Sequence, residues 1–212
     1  MKSANSFSPE QLAIMDAIIA RYPRSRSAIM PLLHYVQSIS GYVTPEGIEA
    51  ISAKLNIETA EVTAVSTFYT QYKSEPVGEY HVGVCINTLC AVMGGDAIYE
   101  AAKEHAGIGK DEVTSDGKVS LERIECNAAC DYAPVVMVNW EFYDNQTPQS
   151  VRDLIDGARN GNPPAPTRGP KSLRTWKENS EVLAGLSDGL AGEGVQAGDP
   201  SLLGLKIARG NS

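Results

Sequence analysis

Histidine is scarce in this sequence, with three residues in 212, and only His81 lies close to a cysteine pair. A centre that needs two imidazoles beside thiolates, as a Rieske cluster does, is therefore poorly served. Positive charge is short as well. Eighteen Lys and Arg stand against 26 Asp and Glu, for a net charge of −8 and a pI near 4.9. Such a chain has no summed positive field to hold a nucleic-acid backbone or an anionic membrane surface, so neither is expected as a partner. No long hydrophobic run is present. The longest uncharged stretch, Ser27 to Pro45, is broken by Pro31, His34, Gln37 and Gly41, and its apolar residues recur helically. Membrane contact is expected only through other proteins. The first residues, MKSANSFSPEQ, lack the basic stretch, apolar core and small-residue cleavage site of a signal peptide, so a cytoplasmic chain is expected to start here. The pair Gly94-Gly95 lacks the spaced third glycine and following acid of a dinucleotide fingerprint, so nothing binds NAD or flavin by motif. Four cysteines in a reducing compartment suit metal ligation or redox chemistry better than a disulfide framework.

Helical signals dominate the first part of the chain. Apolar residues make up 42% of the whole, enough to bury a core. Ser8-Pro9-Glu10-Gln11 combines an N-cap serine, a proline at the first helical position and a glutamine three residues after the cap. It leads into a face of Leu12, Met15, Ile18, Ile19 and Tyr22 that Pro23 closes. A second helix is expected from about Ser27 to Gly41, with Ile29, Leu32, Leu33, Val36 and Ile39 on one stripe and His34 as a hydrogen-bonded packing residue. Thr44-Pro45 opens a third through Leu55, and Thr59 is expected to cap a fourth bearing Val62, Val65, Phe68 and Tyr72. Residues 1–75 thus read as a helical domain.

The period changes at Ser74-Glu75-Pro76-Val77-Gly78. Tyr80, Val82 and Val84 alternate with His81 and Gly83 as in a strand, with His81 at a surface strand position or tuning a metal centre. A helix over Gly94 to Ala106 comes next, then a strand over Val119 to Ile124, two strands turning near Asn139-Trp140, and a last helix capped by Thr147-Pro148. The order β-α-β-β-β-α over residues 76–160 gives an α/β domain of thioredoxin-like outline. Residues 161–212 collect Gly and Pro and lose periodicity, so an extended tail is expected, ordered only against partner subunits. Trp176, Leu183, Leu186, Leu202, Leu203 and Leu205 are its apolar anchors, and its removal is expected to leave the isolated chain's metal centre untouched.

The cysteines carry the chemistry. Cys85-x4-Cys90 comes directly after the first strand and Cys126-x3-Cys130 lies between the second and third, each pair on a strand-end loop. Two such loops can emerge at one end of a sheet. Four thiolates match a [2Fe–2S] centre, two per iron, and small or polar loop residues (Asn87, Thr88, Ala91, Asn127, Ala128, Ala129) leave room for backbone N–H groups beside its negative charge. Rival readings are a four-cysteine zinc site, usually built from C-x2-C knuckles, two disulfides, or dithiol chemistry, which expects C-x-x-C.

The segments RYPRSRSAIMPLLHYVQSISGY, VSTFYTQY, CINTLC and IECNAACDYAPVVMVNWEFYDNQTP resemble the E-subunit family of NADH:quinone oxidoreductase, respiratory complex I, over residues 8–160. The resemblance implies a thioredoxin-like [2Fe–2S] ferredoxin domain behind a helical domain, with Cys85, Cys90, Cys126 and Cys130 matching the cluster ligands one by one. It further implies a one-electron carrier, not catalytic alone, docked on the FMN- and NADH-binding flavoprotein subunit and other peripheral-arm subunits. That arm lies on the cytoplasmic side of the cell membrane. Asn127-Ala128 stands where many members have Leu-Gly, and Met93 where a basic residue is common. Related subunits serve NAD-dependent formate dehydrogenases and NAD-reducing hydrogenases, and a zinc-stabilised adaptor without a redox role is the reading from another class.

Overall fold

Side-chain caps start several of the helices in the computed structural model, which describes residues 7–110 and 112–210. In α1 (Pro9–Ile19) the Gln11 amide donates to Ser8 Oγ at 3.2 Å and the Ser8 amide donates to Gln11 Oε1 at 2.8 Å. A cap of this kind contributes about 1 kcal/mol. A 3₁₀ turn over Ser25–Ala28 leads into α2 (Ile29–Ser40), and Thr44 caps α3 (Pro45–Leu55) by accepting from the Gly47 amide at 3.0 Å. In α4 (Thr59–Phe68) Thr59 is the first helical residue rather than the cap, and Glu58 stands at the cap with no side-chain bond. The helix also stops at Phe68, which is 77% exposed, so of the expected apolar face Val62 and, beyond the helix, Tyr72 are the buried members.

The chain divides into two compact units, Met1–Pro76 with Trp176–Asp188, and Val77–Thr175 with Gly189–Ser212. In the first, α2 is the central element. It buries Leu32, Leu33 and Val36 against Met15, Ile18, Ile51 and Val62. A later helix, α8 (Trp176–Leu183), packs on α2, and Ala184 just after it joins the same core. Trp176 is 2% exposed, and its indole N–H donates to the Gly41 carbonyl at 2.7 Å. The buried Gln37 amide donates to the Gln71 carbonyl at 3.1 Å and accepts from the Lys73 amide at 2.9 Å, so a polar side chain inside the core keeps its partners.

The second unit is built on a four-stranded sheet of order β2-β1-β3-β4. Its strands are β1 (Tyr80–Cys85), β2 (Val119–Ile124), β3 (Val136–Val138) and β4 (Glu141–Tyr143). β1 pairs in parallel with β2 and antiparallel with β3, and β3 with β4. A short α5 (Thr88–Val92) precedes α6 (Gly95–Ala106), and α7 (Pro148–Arg159) comes after β4 behind a Thr147 cap. Tyr80, Val82, Val84, Val119, Leu121, Val136 and Val138 share a core with Ile98 and Ala102 of α6 and Leu154 and Ile155 of α7. The fold is the mixed α/β arrangement the strand and helix signals predict. Asn139 and Trp140 both take positive φ, 51° and 69°, at the tight turn between β3 and β4.

The residues expected to form an extended tail carry two helices, α8 in the first unit and α9 (Asp199–Ala208) in the second. Trp176 thus has its partner within the chain. No helix among the described residues is long and apolar enough to cross a membrane.

Candidate metal centre

Parallel pairing of β1 with β2 brings the two cysteine loops together. The register runs from Tyr80 opposite Val119 to Cys85 opposite Ile124, so both strands end at the same edge of the sheet and each passes directly into its loop. The Ile86 amide donates to the Ile124 carbonyl at 2.9 Å, extending the ladder one residue into the loops. Cys85 closes β1 and its amide donates to the Val135 carbonyl at 3.1 Å. Cys90 sits within α5, and both thiols are buried at 3% exposure. From the other loop, Glu125 brings its carbonyl to 3.5 Å from Cys85 Sγ. Cys126 and Cys130 lie beyond it in that loop, both exposed.

Burial pushes the Cys90 thiol up to about 11, with Cys85 and Cys130 adding to the rise and a backbone hydrogen bond at Val135 opposing it. Cys126 accepts from the Ala128 amide at 3.4 Å within a loop where Ala128 has φ of 52°. All four cysteines are free thiols, so the two-disulfide reading has no counterpart here. Among the described residues no group of three or more His, Cys, Asp or Glu side chains closes on a single ion.

Three observations fit these loops to a sulfur-rich anionic group. The donor set is four thiols with none left over. The side-chain N–H₂ of Asn127, between the cysteines of the second pair, is buried without a hydrogen-bond partner, and such a donor is costly unless an acceptor arrives. Gly95, the first residue of α6, presses on the first loop: a Cβ there would lie 2.6 Å from the Cys85 carbonyl oxygen and 3.0 Å from that of Cys90. The helix end so placed carries partial positive charge, which favours thiolates nearby.

His81 is buried rather than exposed. Its Nδ1 lies 2.8 Å from Ser120 Oγ and its Nε2 2.7 Å from Glu122 Oε2, four residues before Cys85 and roughly 13 Å along the strand. It is a strand-bridging group on β1 and β2. His34 is buried against the Tyr72 ring, 4.8 Å between centroids, and its Nδ1 has no hydrogen-bond partner. Sequence reasoning missed Asn139, whose buried side chain accepts from the His81 amide at 2.7 Å and donates to the carbonyls of Glu79 (3.0 Å) and Arg174 (2.8 Å). It also missed Tyr132 and Arg168, which flank the second loop. Tyr132 lies inside the IECNAACDYAP segment but no periodicity or spacing gives it a role, and Arg168 stands in no motif, so only their spatial neighbours reveal what they do.

A family model for the thioredoxin-like [2Fe-2S] ferredoxin matches residues 15–159. Over 211 residues the chain is 56% identical to the NADH-quinone oxidoreductase E subunit of Mycobacterium tuberculosis (strain ATCC 25618 / H37Rv), covering 97% of this chain and 83% of that one. The chain belongs to the E-subunit family of thioredoxin-like [2Fe–2S] ferredoxins. Family members at greater distance are the E subunit of Rickettsia bellii and subunit 2 of the Thermus thermophilus enzyme. The first is 40% identical over 158 residues, 73% of this chain and 95% of that one. The second is 37% identical over 158 residues, 73% of this chain and 87% of that one. Among solved structures, an air-oxidized NAD+-reducing [NiFe]-hydrogenase shares the fold with a TM-score of 0.56 at 18% identity, over 67% of this chain and 25% of that one. The cofactor of the E-subunit family is a [2Fe–2S] cluster.

Proposed function

We propose that this chain is the electron-transfer subunit of an NADH:quinone oxidoreductase, holding one [2Fe–2S] cluster on Cys85, Cys90, Cys126 and Cys130. The observation that carries the ligand assignment is the Cys85–Ile124 register, which starts both thiol loops from neighbouring parallel strand ends. When bound, the cluster takes up and gives back one electron at a time. The residues provide the rest. Cys85 and Cys90 would supply buried thiols, whose protons leave on ligation. Asn127 and the loop amides offer donors to sulfur, and α6 sets its positive end against the first loop.

The chain works beside the subunit that binds FMN and NADH, within an assembly whose membrane contact is made by other subunits, on the cytoplasmic side. Leu89, Val92 and Met93 around Cys90 support that placement, since they are exposed, Val92 by 80%, and suit an apolar partner surface through which an electron passes over a short distance. The test is anaerobic purification and metal analysis. About two irons and two labile sulfides per chain, with a rhombic EPR signal on reduction, are expected. Cys90→Ala and Cys130→Ala should each lose that signal. Stoichiometric zinc without sulfide would sink the assignment.

A further inference from the structure

In the second thiol loop Ala129 is buried in a cluster with Cys85 and Cys90, but the two cysteines of the loop are not. Cys126 and Cys130 are exposed, and the hydrogen bond to Cys126 Sγ comes from within the loop, at Ala128. The chain just beyond Cys130 is held from outside. Cys130–Tyr132 forms a 3₁₀ turn, and its other two side chains, Asp131 and Tyr132, reach residues far along the chain. The Gly198 amide donates to Tyr132 Oη at 2.8 Å, and Ser201 Oγ donates to Asp131 Oδ2 at 2.7 Å while lying 3.4 Å from Tyr132 Oη. The approach leaves no room for a side chain at 198: a Cβ there would meet Tyr132 Oη at 2.5 Å. On the ring's side, the Arg168 guanidinium lies 4.7 Å from the Tyr132 centroid and 4.1 Å from that of Phe142, its charge paired with Asp144 at 2.9 Å. The Asn145 amide adds a bond to the Tyr132 carbonyl at 2.9 Å.

Apolar burial does not explain why α9 sits here, because its Leu202, Leu203, Leu205 and Ile207 are all exposed. The contact is polar, local and aimed at the two residues after Cys130. The helix also lies beyond residues 15–159, the part of the chain that the family model matches. We propose that the segment around Gly198 and Ser201 clamps the Cys126–Cys130 loop. Asp131 and Tyr132 are the positioning residues through which it sets how that thiolate pair is presented to the cluster and how slowly the cluster is lost. This replaces the expectation that the tail leaves the metal centre untouched, and it rests on the ligand assignment above.

The test uses the full holoprotein beside a chain ending at Ala197 and the substitutions Tyr132→Phe, Ser201→Ala and Ser201→Thr. The readouts are the EPR g-values of the reduced cluster and the rate of iron release to a chelator. Truncation, Tyr132→Phe and Ser201→Ala should shift the g-values and speed iron release, by roughly tenfold for the truncation, whereas Ser201→Thr, which keeps the hydroxyl, should behave as the parent. The point substitutions keep the test open if the shortened chain fails to fold. Unchanged g-values and release rates in cluster-bearing variants would overturn the clamp and leave the ligand assignment standing. A parent chain without iron and sulfide, or a Cys130→Ala chain with a normal cluster, would instead overturn the ligand assignment.

Discussion

Asn127 and His34 each bury a polar atom without a partner, and the two have opposite meanings. At Asn127 the idle donor lies inside the thiol loop, where, on the ligand assignment proposed above, a reduced cluster would be the acceptor with the most negative charge to offer. A hydrogen bond to that form stabilises it, so Asn127→Leu should move the midpoint potential to more negative values, as a redox titration followed by EPR would measure. An unmoved potential with a normal cluster would show the amide bonded elsewhere. At His34 the surroundings are apolar, and burial lowers the imidazole pKa from 6.5 to about 4. Proton counting gives the sign: between pH 6.5 and about 4 the unfolded chain binds the proton and the folded one does not, so stability falls as pH falls through that window. The full penalty is about 3 kcal/mol, reached near pH 4. His34→Phe should flatten that slope in denaturant titrations run at several pH values, relative to the parent.

At the scale of elements, α8 is the piece whose contribution is easiest to measure. Trp176→Ala removes a buried indole from the α2 contact and leaves the Gly41 carbonyl without its donor, which should cost about 3–5 kcal/mol of stability in the first unit. Chemical denaturation of the parent and the variant checks this, and a change under about 1 kcal/mol would mean that α8 is not held there in solution. The elements with local signals were legible in advance: Ser8 and Thr147 cap where the sequence predicts, and Tyr80, Val82 and Val84 alternate into the core. Thr59 misled because a threonine before an apolar run serves equally as cap or first helical residue, and the backbone at Glu58 decides between them. Phe68 misled because helical periodicity continues past the point where α4 has anything left to pack against. His81 misled because alternation marks a strand's two faces without saying whether the second is covered, and here Ser120 and Glu122 bond the ring.

On the scale of the whole chain, the acidic balance of 26 to 18 and the count of four cysteines bound what the protein can bind before any fold is considered. The two thiol loops were legible because their spacing is written locally: C-x4-C and C-x3-C, each just past a strand, already place two cysteine pairs on strand-end loops. Helix caps and strand alternation are local in the same way, since they depend on residues within three or four positions of one another. Three features lay beyond that range. The parallel register of β1 on β2, the capture of Trp176 by α2, and the bonds from Gly198 and Ser201 to the turn after Cys130 join residues from about 40 to 135 positions apart. Such contacts are chosen by the burial and hydrogen bonding the assembled chain can satisfy at once, and a Gly- and Pro-rich segment carries no periodic pattern that announces them. The tail therefore reads as a linker in one dimension, and only in three does it become part of both units.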